Sequence, residues 1–163
     1  MTKVAIIFGT RKGMTRKSAE IIADILKTKF KLDIALFNAK KAKLKDILEE
    51  YENLIIGSGI AMGFWVRTVK KIVQKKDFTN KKVALFVCSG LAGDALKAND
   101  KEEHQKVISK YIDRVIAKNP SLQPLAKTAF GGRWVRKNGE QIVDNWKKED
   151  VENWAEAIGK LFQ

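Results

Sequence analysis

The sequence is poor in cysteine and histidine. Its only cysteine, Cys88, cannot form an internal disulfide bond, which favours a reducing compartment. Its only histidine, His104, lies in the polar stretch DKEEHQK, where the sequence predicts a solvated helical residue rather than a catalytic base. No group of His, Cys and Asp residues has the spacing of metal ligands, so no metal site is predicted.

Long apolar segments are also lacking. No stretch of the chain approaches the roughly 20 apolar residues of a membrane-spanning helix. The apolar run that follows Lys3 is too short for the core of a secretory signal peptide. These absences predict a cytoplasmic protein that is soluble or lies against the surface of a membrane.

An excess of Lys and Arg makes the chain strongly basic. It has 32 Lys and Arg residues against 19 Asp and Glu, a net charge of +13. Such a balance favours an acidic partner protein, an anionic membrane surface or a nucleic acid. A lysine-rich solvated surface without a specific partner explains the same charge, and the composition alone leaves both readings open.

Short apolar runs alternate with amphipathic segments along the whole chain. The 163 residues, of which 45% are apolar, predict one domain over 1–163 with a buried core. Helices are predicted from Thr15, around 44–51, over 64–76 with Trp65 on its apolar stripe, over 107–116 and over 151–162. The stretch LAGDALKANDKEE and the segment after residue 132 are predicted as connections. Five strands are predicted at 4–8, 32–37, 53–59, 83–90 and 126–132.

This alternation predicts an α/β fold in three layers, because parallel strands need crossover helices and those helices cover both faces of the sheet. Five such units are typical of a doubly wound parallel sheet with strand order 2-1-3-4-5. In such sheets ligands bind at the carboxyl ends of the strands, where the strand order reverses between strands 1 and 3.

Three loops at that edge are built largely from small residues. They are FGTRKGMT after strand 1, GSGIAMGF after strand 3 and CSGLAGD after strand 4. Of the 11 glycines in the chain, seven fall in these stretches: Gly9, Gly13, Gly57, Gly59, Gly63, Gly90 and Gly93. Glycine lets a backbone come close to a ligand, so this clustering predicts a binding site at the edge.

The first loop has the composition of an anion site. Thr10 and Thr15 supply hydroxyl groups, and the helix that follows supplies free backbone N–H groups at the positive end of its dipole. Arg11 and Lys12 add positive charge. Taken alone, Thr15 could simply cap the helix. The loop lacks the G-x-x-x-x-G-K-(S/T) pattern of a nucleoside triphosphate site, and G-x-G-x-x-G is also missing.

The motifs resemble those of the flavodoxin-domain family. GTRKGMT is similar to the family's phosphate loop, (T/S)-x-T-G-x-T, with Thr10, Gly13 and Thr15 in place and Lys12 where the middle threonine stands. Together with IIGSGIAMGF and FGGRW, the pattern is most similar to the quinone-linked protoporphyrinogen dehydrogenases of this family. The resemblance covers nearly the whole chain and implies a flavodoxin-like fold.

The resemblance implies a non-covalently bound flavin mononucleotide (FMN). Its phosphate would bind the loop after strand 1, at Thr10, Arg11, Lys12, Gly13, Met14 and Thr15. Its ring would lie between the other two loops, at Ser58, Gly59, Ile60, Ala61, Met62 and Gly63 and at Ser89, Gly90, Leu91, Ala92 and Gly93. These loops lack the aromatic residues that flavodoxins usually stack on the ring. We therefore expect Trp134, from the segment after strand 5, to cover it.

The function that follows is electron transfer, or oxidoreduction linked to a quinone, a porphyrinogen or a protein, without a dedicated acid or base from the protein. The partner would be an acidic redox protein, a quinone or another small molecule, with contact to an anionic membrane as a further option. The alternative is a non-redox module that binds RNA or another polyanion. It is disfavoured because the aromatic residues lie mostly on apolar stripes and not among the lysines.

Overall fold

The computed structural model describes residues 1–11 and 13–163. The secondary-structure elements, in chain order, are β1 (Lys3–Gly9), α1 (Met14–Phe30), β2 (Asp33–Asn38), α2 (Leu44–Glu50), β3 (Asn53–Ala61), β4 (Phe64–Trp65), α3 (Arg67–Lys75), β5 (Lys82–Cys88), α4 (Gly90–Lys97), α5 (Lys101–Ile108), a π-helical turn (Ser109–Asp113), α6 (Arg114–Ile116), β6 (Ala126–Phe130), β7 (Arg133–Val135), β8 (Gln141–Asp144) and α7 (Lys148–Phe162).

The main sheet has five parallel strands in the order β2-β1-β3-β5-β6. This is the predicted order 2-1-3-4-5, and the flavodoxin-like α/β architecture is confirmed. The register places Val4 beside Ile34 on one side and beside Asn53 on the other. The carboxyl ends of β1, β3 and β5 therefore lie next to one another, at the edge where the strand order reverses.

Side chains of successive residues in the central strands pack alternately into two separate hydrophobic cores, one on each face of the sheet. On one face, Ile6 and Phe86 pack with residues of α1 and α7. On the other face, Ile7 and Leu85 pack with residues of α3 and α5. Alternation of side chains across a pleated strand produces this division, and burial on both faces is the reason why the strands read as continuous apolar runs.

The helix predicted over 64–76 begins later than expected. Met62 and Gly63 both have positive φ, 53° and 84°, and this turn folds the chain back on itself. As a result Phe64 and Trp65 pair antiparallel with the end of β3 as β4, and α3 starts at Arg67. Trp65 is buried as predicted, but it belongs to a strand, and its Nε1 donates a hydrogen bond to the Tyr111 carbonyl at 2.7 Å.

Two further regions differ from the sequence prediction. The stretch predicted as a connection after the fourth strand contains α4, and Asp100 then caps α5 by accepting from the Glu103 N–H at 3.0 Å. The segment predicted as a loop after Gly132 forms the hairpin β7–β8. His104 lies on α5, as predicted, but it is only partly exposed, and its Nε2 lies 2.8 Å from the Ala129 carbonyl oxygen on β6.

Candidate functional site at the carboxyl edge of the sheet

A cleft of about 600 Å³ opens at the carboxyl edge of the sheet, within the range of about 300–1,000 Å³ that is usual for small-molecule sites. Its walls come from the loops after β1, β3 and β5 and from the hairpin β7–β8. The loop after β3 here means residues 58–63, which include the end of β3, and the loop after β5 means residues 89–94, which include the start of α4. We call the part formed by the loop after β1 and the start of α1 the α1 end. We call the part between the loops after β3 and β5 and the β7–β8 hairpin the hairpin end.

The α1 end presents backbone donors. Gly13 has a φ of 86°, and its N–H donates to the Thr10 hydroxyl at 2.8 Å, which closes a tight turn before the helix. The Lys17 N–H bonds the Gly13 carbonyl, so the helical N–H groups of residues 14–16 have no acceptor within α1. Among the described residues, no side chain caps this helix, and its first turn holds no carboxylate. The arrangement suits a bound anion.

Two side chains shape the α1 end further. Thr15 is buried, and a Cβ on Gly59 would lie 3.1 Å from its hydroxyl oxygen, so the loop after β3 passes directly over the first turn of α1. Arg11 lines the cleft, and its Nη2 donates to the Trp65 carbonyl at 3.1 Å. This bond ties the guanidinium group to β4, while Arg11 as a whole stays exposed to solvent.

The floor of the cleft includes Cys88, the last residue of β5. Its thiol lies 3.7 Å from the Ser18 hydroxyl oxygen and is buried. Burial raises the pKa of the Cys88 thiol to about 11, while hydrogen bonding to Ser18 and Thr15 acts in the opposite direction. The thiol is therefore protonated at neutral pH, and it does not have the character of a nucleophile.

The hairpin end is mainly apolar. Met62, Leu91, Trp134 and Ile142 line it, and their exposed fractions are 86%, 48%, 38% and 38%. Large apolar side chains exposed together on a concave surface are characteristic of a site for a flat organic ligand.

The charges in the cleft are close to balanced. Arg11, Lys97 and Arg133 line it together with Asp94 and Asp144. Arg133 and Asp144 face each other across the hairpin, with 4.0 Å between Nε and Oδ1. The described lining residues therefore carry a small positive excess, while the large net charge of the chain lies elsewhere on its surface.

Most of the predicted site residues meet in this cleft. Those that line it are Thr10, Arg11, Met14, Thr15, Gly59, Ile60, Ala61, Met62, Gly63, Ser89, Gly90, Leu91 and Trp134. Lys12 lies outside the described residues. The structure brings the three small-residue loops together as the switch-point argument predicts, and their contact with a cofactor stays a prediction.

Four of the predicted site residues do not line the cleft themselves. Ser58 is buried, with its hydroxyl accepting from the Val66 N–H at 2.9 Å, so it fixes the loop from within. Ala92 is part of the core. Gly13 shapes the turn through its backbone. Gly93 packs against the Asn145 side chain, which a Cβ there would meet at 2.0 Å.

Several lining residues were not among the predicted contacts. Cys88 and Asp94 lie at the ends of the predicted CSGLAGD loop. The others come from later in the chain and were missed; they are Lys97, Tyr111, Gly132, Arg133, Ile142, Val143, Asp144 and Asn145. The hairpin residues were missed because β7 and β8 are very short and mostly exposed, so no apolar alternation marks them. The GGRW turn was the only signal in this region, and it pointed to Trp134 alone.

The described part of the chain also bears on metal binding and on membrane insertion. Residues 1–11 and 13–163 contain no cluster of His, Cys, Asp and Glu side chains that could hold a metal ion. Within the same residues no helix combines the length and the apolar character needed to span a bilayer.

The fold and the cleft define a doubly wound α/β protein with an open cleft at its switch point. The flavodoxin domain family matches residues 5–138, and the chain belongs to this family. The match is to the flavodoxin domain as such, and it does not distinguish the protoporphyrinogen dehydrogenase subgroup. A search of curated proteins found no match.

Several solved structures share the fold over the full chain. Flavodoxin from Streptococcus pneumoniae superposes with a TM-score of 0.63 at 16% identity, covering 98% of this chain and 96% of that one. Flavodoxin 2 from Bacillus cereus gives 0.62 at 18% identity, covering 99% and 100%. A flavodoxin variant from Fusobacterium nucleatum, bound to flavin mononucleotide, gives 0.56 at 20% identity, covering 100% and 98%. At these identities the likeness establishes the fold.

Proposed function

We propose that this chain binds FMN non-covalently in the cleft and serves as an electron-transfer protein or FMN-dependent oxidoreductase. The observation that carries the proposal is the pairing of an uncapped helix N-terminus at one end of the cleft with an apolar wall at the other. FMN has the same two-part chemistry, since it joins a phosphate monoester to a flat aromatic ring. When bound, it would supply the redox chemistry, and the protein would supply orientation and electrostatics.

The α1 end fits the phosphate. The free N–H groups at the start of α1 would donate to the phosphate oxygens, with the hydroxyls of Thr10 and Thr15 as further partners. Gly13, held at positive φ, leaves the space beside the turn open, because a Cβ there would have no atom within 4 Å. Arg11 would add positive charge from the side wall. The donor set is sized for one phosphate group.

The hairpin end fits the ring. Met62 and Leu91 come from the loops after β3 and β5, Trp134 comes from β7, and all three line the cleft. The ring would lie between these apolar side chains, with the backbone of Gly59 and Gly90 at its edge. Two aromatic residues are among the described lining, and Trp134 is exposed whereas Tyr111 is buried, which supports Trp134 as the residue that would cover the ring.

The partner would be acidic. A net charge of +13 repels basic redox partners and attracts an acidic protein surface. The exposed apolar side chains at the cleft mouth, Met62 above all, would also allow a quinone or another small molecule to reach the ring edge. Oxidoreduction linked to a porphyrinogen follows from the resemblance of the sequence motifs, and contact with an anionic membrane follows from the charge.

Reconstitution tests the proposal. The purified chain is unfolded, refolded with excess FMN and desalted, and its visible absorbance is then recorded. We expect one flavin per chain, released as free FMN on denaturation. A colourless protein after desalting would overturn the proposal. Retention on RNA that weakens steeply with salt, in a chain that takes up no flavin, would support the polyanion-binding alternative instead.

A further inference from the structure

One side chain joins the β7–β8 hairpin to the loop after β5. Asn145, immediately after β8, accepts from the Gly132 N–H at 3.0 Å through Oδ1. Its Nδ2 donates to the Gly90 carbonyl at 2.8 Å and to Oδ1 of Asp94 at 3.0 Å. Every hydrogen-bonding group of the side-chain amide is therefore used, and the bonds run to both sides of the hairpin end.

Glycines make room for this contact. A Cβ on Gly93 would lie 2.0 Å from Oδ1 of Asn145, and a Cβ on Gly131 would lie 2.2 Å from its backbone oxygen. The Asn145 N–H also bonds the Gly132 carbonyl at 3.0 Å, which closes the base of the hairpin. The close packing explains why these positions carry no side chain, and it restricts the position of Asn145.

The following residue ties the same segment to the other end of the cleft. Trp146 donates from Nε1 to the Ser18 hydroxyl at 2.9 Å, and Ser18 in turn donates to the Met14 carbonyl in the first turn of α1. The ring of Trp146 also lies 5.1 Å from the Lys17 ammonium group. The chain leaving the hairpin is thus anchored on both sides of the cleft, with Asn145 serving the hairpin end.

We propose that Asn145 is a positioning residue that seats the β7–β8 hairpin and so fixes the wall of the cleft carrying Trp134 and Ile142. The inference rests on the proposed flavin site, because the wall matters for binding only if the ring lies against it. Short strands exposed to solvent hold a hairpin weakly. The Asn145 amide adds hydrogen bonds that span the cleft wall, and their loss leaves partly buried donors and acceptors unpaired.

The test compares Asn145→Ala with Asn138→Ala. Asn138 lies at the tip of the same hairpin, is exposed, and accepts one local bond from the Glu140 N–H at 3.0 Å. Hydrogen–deuterium exchange of residues 132–144 is measured without flavin. Dissociation constants are then measured by fluorescence titration for FMN and for riboflavin, which has the ring but no phosphate.

For Asn145→Ala we expect exchange across the hairpin to accelerate by about tenfold or more, and both flavins to bind about tenfold more weakly. Asn138→Ala should change exchange only near residue 138 and leave both constants within about twofold. Equal weakening of FMN and riboflavin binding would indicate that the cleft wall acts on the ring, because the two flavins share the ring and only FMN has the phosphate. A merely destabilised protein would lower the melting temperature without this pattern.

Unchanged hairpin exchange in Asn145→Ala would overturn the seating role. Faster exchange with unchanged flavin binding would overturn the role of the wall. If the unmodified chain binds neither flavin, the proposed function fails, and the exchange comparison still decides whether Asn145 seats the hairpin. Should Asn145→Ala not fold, Asn145→Asp replaces it. Its carboxylate cannot donate to Gly90 and lies beside Asp94, so faster hairpin exchange is again expected.

Discussion

The α1 end and the hairpin end of the cleft are held together by different kinds of contact. At the α1 end, backbone N–H groups and a glycine at positive φ present the donors, and the rigid first turn of α1 keeps them in place. At the hairpin end, side chains form the wall, and the Asn145 amide anchors the hairpin that carries them. The α1 end should therefore govern recognition of the phosphate, and the hairpin end should govern the surroundings of the ring.

A carboxylate placed at the α1 end should give the largest difference between the effects on FMN binding and on riboflavin binding. In Gly13→Asp the new side chain would sit beside the free N–H groups, competing with the phosphate and repelling it. We expect FMN to bind at least about a hundredfold more weakly, with riboflavin little affected. Gly139→Asp is the matched control, because Gly139 has a φ of 87° and equally open surroundings at the hairpin tip. If Gly13→Asp weakened the binding of FMN and riboflavin to a similar extent, the assignment of the phosphate to the α1 end would be contradicted.

The floor between the two ends should respond to alkaline pH. Burial raises the pKa of Cys88 from its usual 9.0 to about 11, so the folded state holds this proton more tightly than the unfolded state does. The resulting stability is complete below about pH 9 and is lost as the pH rises towards 11. Between those values the free energy of unfolding of the unmodified chain should fall by on the order of 2 kcal/mol more than that of Cys88→Ala, measured by urea denaturation. Parallel curves would show that the thiol is not buried as described.

Truncating Trp134 should weaken the binding of the flavin ring without affecting recognition of the phosphate. Trp134→Ala removes a large apolar side chain from the hairpin end, and we expect FMN and riboflavin to bind about fivefold more weakly, to the same extent. Phe64→Ala serves as the control, because Phe64 is an exposed aromatic residue outside the cleft lining. If FMN were weakened and riboflavin spared, Trp134 would belong to phosphate recognition and the comparison of the two ends would fail.

A charge at the hairpin end should tune the redox potential. Reduction adds negative charge to the ring, and Lys97 lines the cleft. In Lys97→Gln the midpoint potential of the bound flavin should fall by about a few tens of millivolts, measured by dye-coupled titration. Lys101→Gln, an exposed position outside the cleft, should leave it unchanged.

The α1 end was more predictable from the sequence than the hairpin end, and the reason is physical. A buried parallel strand followed by a glycine turn and an amphipathic helix leaves a strong local pattern, and Thr10, Gly13 and Thr15 lie within it. The strand order followed from the alternation of elements, since parallel pairing needs crossovers. The same rules brought the loops after β1, β3 and β5 to one edge.

The hairpin end depends on contacts between distant parts of the chain. Asn145 bonds Gly90 and Asp94 across more than 50 residues, and no periodicity announces such a pair. The error at Trp65 has a similar origin, because the turn at Met62 and Gly63 converts the start of an apparent helix into a strand. The partial burial of His104 was missed because its bond to the Ala129 carbonyl is visible only once α5 packs against β6.

The most direct test of the account compares FMN with riboflavin on the unmodified chain. Both are titrated under the same conditions, with quenching of flavin fluorescence as the signal. If the α1 end recognises the phosphate while the hairpin end holds the ring, both should bind at one site per chain, with FMN at least about tenfold tighter. Equal affinities would contradict a phosphate site at the start of α1, and binding of neither flavin would contradict the central claim altogether.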